Sequence, residues 1–398
     1  MLVRNRLDAG AAIVTDSALR TALYTIRSLG RRGVRVTAVE RPMPKRENLG
    51  ALSRYVHRRV TLPSSITEPE AFTAALLDLA ADHDAVLPIG MQSIECVSRN
   101  HDRFAARLGR SVPLAPWATI ERADRTRALL TFAEGLGIPV PQRYRPEDYG
   151  GVEACAAALT YPVIVKTGLE GELPPAGRYG IARDASEFVR LHRRLSAHVT
   201  DPIVQELIEG DGIGFEALYD FDGVAVATFC HRRLGWFPLS GGPSTYCESI
   251  RHPRAEELGR RLLDGLGWVG LAMVEFKIDR RSGEPKLMEI NPRPWGSMAL
   301  PIAAGTDFPW LWYLLARDGR VTPTPPGRPG VRLRFAVQDL QAALAEWRSH
   351  HSIPRSLRRA ASFLDPRVHE GVLSLGDPRP TVAYLAKALR RASRGGGQ

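Results

Sequence analysis

Between Gly270 and Ser297 the chain reads GLAMVEFKIDRRSGEPKLMEINPRPWGS, two apolar, strand-like runs on either side of a turn at Arg280 to Glu284. A hairpin centred near Ser282 sets Glu275 opposite Glu289 and Met273 opposite Asn291. Side chains two apart share a sheet face, so Glu275, Glu289 and Asn291 converge on one side. Like charges directly across a ladder repel, and any fold that contains this hairpin must place something positive between the two carboxylates. Magnesium suits the position: it is a hard ion that takes oxygen ligands from one or two carboxylates and leaves the rest of its octahedron to phosphates and water. The alternative is a side-chain cation, Lys277 or Arg293, and a one-residue slip in register would send the carboxylates to opposite faces.

The rest of the chain reads as four segments. In residues 1–115, apolar strands at Ala11 to Thr15, Val34 to Val39 and Ala85 to Ile89 alternate with helices from Ser17 to about Arg32 and from Thr67 to Asp82, which implies an α/β domain with a parallel sheet. Residues 116–205 open with a linker at Pro113 and Pro116 and a helix from Arg122 to Leu136. They continue into a strand at Tyr161 to Thr167, a glycine-rich loop from Gly168 to Gly180 and a helix at Ala185 to Ser196, the makings of a lid subdomain. Residues 206–322 are rich in hairpins and predict an antiparallel sheet in an α+β domain. Residues 323–398 follow a proline-rich linker and read as a basic, partly helical appendage.

Charge and composition exclude several classes. The chain of 398 residues is 44% apolar and 24% charged, within the range of ordinary globular proteins and outside that of disordered or collagen-like ones. No apolar run reaches the ~18 residues of a membrane span. The stretch Met1 to Asp16 is interrupted by Arg4, Arg6 and Asp8, so no secretory leader is expected and the expected location is the cytoplasm. Cys96, Cys155, Cys230 and Cys247 lie far apart, without zinc-type spacing. The net charge is +11, and twelve basic against five acidic residues lie between Val331 and Gln398. No aromatic-rich basic motif accompanies them, so this is read as a solvated helical face and no nucleic-acid partner is expected.

Only five of the 54 basic residues are lysines. Lys166 closes the apolar run Tyr161-Pro162-Val163-Ile164-Val165 and is followed directly by the glycine-rich loop. A point charge on a rigid strand end, beside a loop whose N–H groups can close on an anion, suits a phosphate; a plain edge-strand charge is the alternative. The segment Ile203-Val204-Gln205-Glu206-Leu207-Ile208-Glu209-Gly210-Asp211 is an apolar strand broken at an acidic bend. It reads either as a strand exit or as a hinge offering backbone groups to a base and carboxylates to ribose.

In this order the YPVIVK strand, the QELIEG bend and VEFK followed by MEINPR resemble the ATP-grasp superfamily, nearest to the group related to the carbamoyl-phosphate synthetase large chain and to carboxylate-amine ligases. The likeness covers about residues 10 to 320 and includes Gly135-Leu136-Gly137-Ile138-Pro139-Val140-Pro141; Asp377-Pro378-Arg379-Pro380 also looks like the end of such ligases. It implies an ATP-grasp fold: an N-terminal parallel-sheet α/β domain, a lid subdomain and an antiparallel-sheet ATP-binding domain. It further implies that Lys166 contacts the ATP phosphates and that the hinge Gln205, Glu206, Leu207 and Ile208 holds adenine, with ribose at Glu209 or Asp211. Glu275, Glu289 and Asn291 would carry Mg2+, and Arg293 would steady the transferred phosphoryl group. Where the family usually has a second phosphate lysine this chain has Asp124-Arg125, with Arg125 as the substitute. Arg232, Arg233, Gly242 and Ser244 fall where similar ligases border the acceptor pocket.

The implied function is ATP-dependent ligation of a small carboxylate to a small amine, amino acids foremost, through an acyl phosphate. A phosphotransferase on the same fold and a non-catalytic binding protein with a decayed ATP site are the alternatives, and a homodimer is left open.

Overall fold

The computed structural model describes residues 10–168, 175–237, 242–350, 365 and 367–394. Four parallel strands form the first sheet: β1 (Ala11–Val14), β2 (Arg35–Glu40), β3 (Val56–Thr61) and β4 (Ala85–Leu87), in the order β3-β2-β1-β4. β1, β2 and β4 agree with the sequence reading. β3 was not foreseen: its HRR core sits at the sheet edge with mostly exposed side chains, the polar pattern by which edge strands avoid further pairing. The order reverses between β1 and β4, and a ligand crevice of an open α/β sheet lies at the carboxyl ends of the strands flanking such a point. Asp16 occupies that position with φ of 51°, a conformation rare for a non-glycine residue. Its carboxylate accepts from the Gly90 N–H at 2.8 Å and the Ser93 hydroxyl at 3.0 Å, tying the two loops together.

The second sheet comprises β5 (Arg143–Tyr144), β6 (Val163–Lys166), β7 (Tyr179–Ala182) and β8 (Ile203–Glu206), antiparallel in the order β5-β8-β6-β7. It has its own small core, in which Val163, Val165 and Val204 pack against Phe188, Leu191 and Leu195 of the helix Ala185–Ser196. Asp184 caps that helix by accepting the Glu187 N–H at 2.8 Å. A body with a separate core and a short connection to its neighbour can move as a unit, as a lid must. Part of the glycine-rich loop, residues 169–174, lies outside the described residues.

The expected helix Arg122 to Leu136 is two helices, Trp117–Asp124 and Thr126–Gly135, parted by Arg125 in an extended conformation. Both helices pack on β13 (Pro285–Asn291).

β13 is the edge of the third sheet, with β9 (Gly212–Tyr219), β10 (Ala225–Trp236), β11 (Ser244–Ile250), β12 (Gly270–Ile278), β14 (Arg332–Arg334) and β15 (Val368–Glu370) in the order β13-β12-β9-β10-β11-β14-β15. All pairs are antiparallel except β14 with β15. Glu275 pairs with Glu289 and Met273 with Asn291, the register expected from the sequence; a bulge follows Glu275. β11 carries little strand signal in the sequence, because its buried face is made of the small side chains Thr245, Cys247 and Ser249 rather than of large apolar ones.

Beyond Pro323 the structure corrects the expected appendage. β14 and β15 extend the large sheet, and the Asp377-Pro378 motif clamps the first helix, Arg20–Gly30. Asp377 accepts from Arg27 Nε at 2.9 Å, the Ser53 hydroxyl at 2.7 Å and the Arg54 N–H at 2.9 Å, while Arg27 Nη1 donates to the Val372 carbonyl at 2.8 Å. No helix among the described residues is long and apolar enough to cross a membrane.

The Arg27–Asp377 pair is nearly sealed, with side chains 8% and 1% exposed. Burial alone would raise the Asp377 carboxyl, but the Arg54 N–H, the Ser53 hydroxyl and the Arg27 guanidinium outweigh it and hold the group below the usual aspartate range. A carboxyl depressed by folding contributes stability above its unfolded pKa, about 4, that is lost as pH falls through its folded value. Asp377→Asn should therefore cost about 3–5 kcal/mol at pH 7 by leaving Arg27 buried without its counter-charge. In urea melts the gap between variant and wild type should close as pH drops below about 4; a gap that is small at neutral pH or insensitive to acid would show that the clamp carries no charge energy.

Candidate functional site

Alternation along the strands of the large sheet sorts its chemistry onto two faces. Glu275 pairs with Gly214, and Gly214 with His231, so these residues share a face with Glu289, Asn291, Glu216 and Arg233. On that face Arg233 Nη2 donates to Glu275 Oε1. Asn291 Nδ2 donates to Glu275 Oε1 at 3.2 Å and to Glu289 Oε1 at 3.3 Å. Burial works to lower the Arg233 pKa, but Glu275 and Glu289 outweigh it and hold the guanidinium firmly charged. The positive group demanded by the paired glutamates is therefore Arg233, from a strand that does not adjoin the hairpin.

The two cations considered for that place lie elsewhere. Lys277 Nζ donates to the Ile208 carbonyl at 3.0 Å, and burial, with Arg233 nearby, lowers its pKa. Arg293 follows the end of β13 and makes a long contact, 3.4 Å, to the Pro294 carbonyl.

Arg232, the neighbour of Arg233, occupies the opposite face. Its Nη2 donates to Glu248 at 2.9 Å, and Arg332 donates to the other oxygen of Glu248 at 2.9 Å. The sequence reading grouped Arg232 with Arg233 as acceptor-pocket residues; the strand separates them. Gly242 is half-buried, and the Ser244 hydroxyl is spent on the carbonyls of Gly235 and Tyr246 at 3.3 and 3.1 Å. Gly241 lies outside the described residues.

Beneath the carboxylate pair, His231 Nδ1 and Glu216 Oε1 form a hydrogen bond wholly shielded from water. A Cβ at Gly214 would stand 2.4 Å from His231 Cε1, so only glycine lets the ring lie there. Burial raises the Glu216 carboxyl, with His231 opposing. The sequence reading missed Glu216, whose signal was a lone acid in the apolar run Ile213 to Tyr219.

The hinge is built more from side chains than expected. The Glu206 carboxylate receives Lys286, Arg281 at 2.8 Å and the Gln142 N–H at 2.9 Å. Burial would raise its pKa, but Lys286 and the Gln142 N–H bring it below the usual glutamate value. The Glu206 N–H itself donates to the Gln142 carbonyl at 2.9 Å. Gln205 and Ile208 are buried, Leu207 is half-buried and Glu209 is exposed. A Cβ at Gly210 would lie 1.7 Å from the Ile278 carbonyl oxygen, so glycine lets the hinge press against β12. Asp211 was expected at ribose, yet its carboxylate lies 4.0 Å from Arg232 on the far face. Lys166 ends β6, half-buried, opposite Tyr179 and Ile203.

A cavity of about 470 Å³ joins the crevice of the first sheet to the carboxylate strand, lined by Arg20 and Gln92 on one side and by Asp124, Glu289, Asn291 and Arg293 on the other. The protein packed around Asp124 raises its carboxyl, with Arg293 opposing and Glu289 adding to the rise. Arg125 does not line this cavity: its side chain is 70% exposed and pairs with Glu121 at 2.8 Å. The two carboxylates offer oxygen donors, and Asn291, whose Nδ2 faces them here, would add its Oδ1 on turning its amide over. Such donors fit a hard ion that takes its remaining ligands from substrate and water, as Mg2+ does.

Known proteins bear on this arrangement. A family model described as ATP-grasp in the biosynthetic pathway with Ter operon matches residues 200–339. The D-alanine–D-alanine ligase of Methylococcus capsulatus is 28% identical over 216 residues, 48% of this chain and 65% of that protein. The N-terminal section of the carbamoyl phosphate synthase large chain of Methanopyrus kandleri is 25% identical over 200 residues, 48% of this chain and 35% of that protein. The chain thus spans less than two-thirds of either relative. Among solved structures, the N5-carboxyaminoimidazole synthetase of Staphylococcus aureus superposes with a TM-score of 0.62 over 86% of each chain at 14% identity. The fold is ATP-grasp, and residues 200–339 are similar to an ATP-grasp family.

The two glutamates should respond unequally to neutralisation. Arg233 and Glu275 keep only 25% and 14% of their side-chain surface. Glu275→Gln strips Arg233 of its partner and should cost about 1–3 kcal/mol, less than the 3–5 of a fully sealed pair. Glu289→Gln relieves the repulsion across the ladder while giving up some attraction to Arg233, and should change stability by under about 1 kcal/mol. Thermal melts without magnesium compare the two; equal losses would mean that Arg233 does not discriminate between them.

Proposed function

We propose that this protein is an ATP-dependent carboxylate-amine ligase acting on small molecules, with amino acids as the foremost substrate class. The observation that carries the reading is the meeting of the Glu275, Glu289 and Asn291 face with a cavity bounded by Arg293 and by the crevice of the first sheet. The match to a D-alanine–D-alanine ligase supports the amino-acid class. ATP would lie between the lid sheet and the large sheet, its phosphates toward Lys166 and the glycine-rich loop and its base at the hinge from Gln205 to Ile208. Glu275, Glu289 and Asn291 would hold Mg2+, which when bound neutralises phosphate charge.

The chain's own part is to fix charge and position. A carboxylate oxygen of the first substrate attacks the γ-phosphorus, and the bond to the β-phosphate oxygen breaks, releasing ADP. Lys166 and Arg293 offset the negative charge that builds on the transferring group. The amine of the second substrate then attacks the acyl carbon, phosphate departs and the amine gives up its proton. Positioning and electrostatics suffice, so no protein nucleophile is required. Closure of the lid keeps water from the acyl phosphate. A cytoplasmic setting, where ATP is available, goes with this reading.

Acceptor-dependent turnover with panels of amino acids should release ADP and phosphate in equal amounts, and hydroxylamine should trap a hydroxamate of the first substrate. AMP with pyrophosphate would overturn the reading, and a phosphorylated product without free phosphate would replace it by phosphotransfer. Arg293→Ala and Lys166→Ala should each reduce kcat by roughly 10²–10³, with melting temperatures near that of wild type.

A further inference from the structure

The large sheet has a second concavity, on the face turned away from Glu275 and Glu289. It encloses about 460 Å³ and is lined by Arg232, Arg251, Arg280, His252, Asp211 and Gly210, among others. We propose that it is a binding site for a small phosphate-bearing anion, separate from the ATP cleft and independent of the ligase reading.

Three strands deliver the cations. Arg232 comes from β10, Arg251 follows the adjacent β11 and Arg280 follows β12, on the other side of β9, so three strands of one sheet deliver to the depression. Their charge is only partly met. Arg232 Nη2 is bound to Glu248, while its Nε is buried without a partner among the described residues. Arg251 Nη2 donates to the Pro326 carbonyl at 3.1 Å. Among the described residues no carboxylate forms an ion pair with Arg251 or Arg280. Among the described residues the only carboxylate lining the concavity is Asp211, 4.0 Å from Arg232.

His252 adds a fixed donor. Its Nδ1 accepts the Ala255 N–H at 3.1 Å, capping the thirteen-residue helix Pro253–Gly265, so the proton of the neutral ring resides on Nε2. The start of that helix contributes a further partial positive charge. Guanidinium forks match phosphate oxygens two at a time, and the space exceeds what a bare phosphate needs. The site also touches the bend after β8 through Gly210 and Asp211, and Arg232 adjoins Arg233, which holds Glu275 from the other face.

The test is a calorimetric titration of the full chain with inorganic phosphate and, separately, with ribose 5-phosphate. The protein is held in saturating magnesium and a non-hydrolysable ATP analogue so that phosphate positions in the front cleft are filled. One site should fill, and Arg251→Ser combined with Arg280→Ser should weaken it at least tenfold while the affinity for the analogue stays within twofold. Tighter binding of ribose 5-phosphate would assign a phosphate monoester, and equal binding would assign free phosphate. Binding of neither probe to the wild type, or equal binding by the double variant, overturns the proposal. Arg280→Ser alone, a change at an exposed side chain, guards against misfolding and should weaken the site at least threefold. If the analogue itself does not bind, the ligase reading fails, and the same comparison on the free protein still decides this one.

Discussion

Electrostatic repulsion between Glu275 and Glu289 is the constraint around which the large sheet is arranged. Two carboxylates in register on one face are tolerated only with compensation, and the protein supplies it from a strand two places away, through Arg233. That contact reaches across β9, where residues 212 and 214 are glycines and leave the face open. Their lack of side chains lets Arg233 and His231 lie flat toward the hairpin. The intervening strand is shaped by the charge pair as much as the hairpin is.

Much of this was legible in the chain. The turn at Arg280 to Glu284, with a strand-like run on either side, points to the hairpin register. Strands β1, β2 and β4 followed from apolar runs punctuated by glycine. Arg233 was harder, because the identity of the counter-cation depends on how β10 registers against β9, a non-local fact that no local pattern encodes. The same gap explains why Arg232 and Arg233 read as equivalent: adjacent residues on a strand face opposite ways, but which way depends on the partner strand. β3, β11, β14 and β15 escaped notice because they are short or polar and are strands only by virtue of their neighbours. The break at Arg125 left no mark either, since every residue from Arg122 to Leu136 is acceptable in a helix and tertiary packing on β13 decides against continuity.

The hinge illustrates a different limit. Glu206 was read for its backbone, which lies in the bend, yet its side chain gathers Lys286 and Arg281 from the turn of the hairpin. One carboxylate thus welds the end of the lid sheet to the hairpin that bears the glutamate pair. Gly210 completes the join by allowing main chain to touch main chain. Any movement of the second sheet against the large one would have to pivot around this point rather than through it.

The clamp at Asp377 has a meaning for synthesis on the ribosome. Arg27 emerges early, inside a helix that faces the core of the first domain, and its counter-charge is made 350 residues later. At ~5–20 residues per second the helix waits tens of seconds for its partner. During that interval the nascent first domain carries an unmatched cation at a surface destined for burial, which disfavours premature docking against the wrong segment. Closure of the clamp then ties final consolidation of the first domain to the arrival of the segment around Asp377.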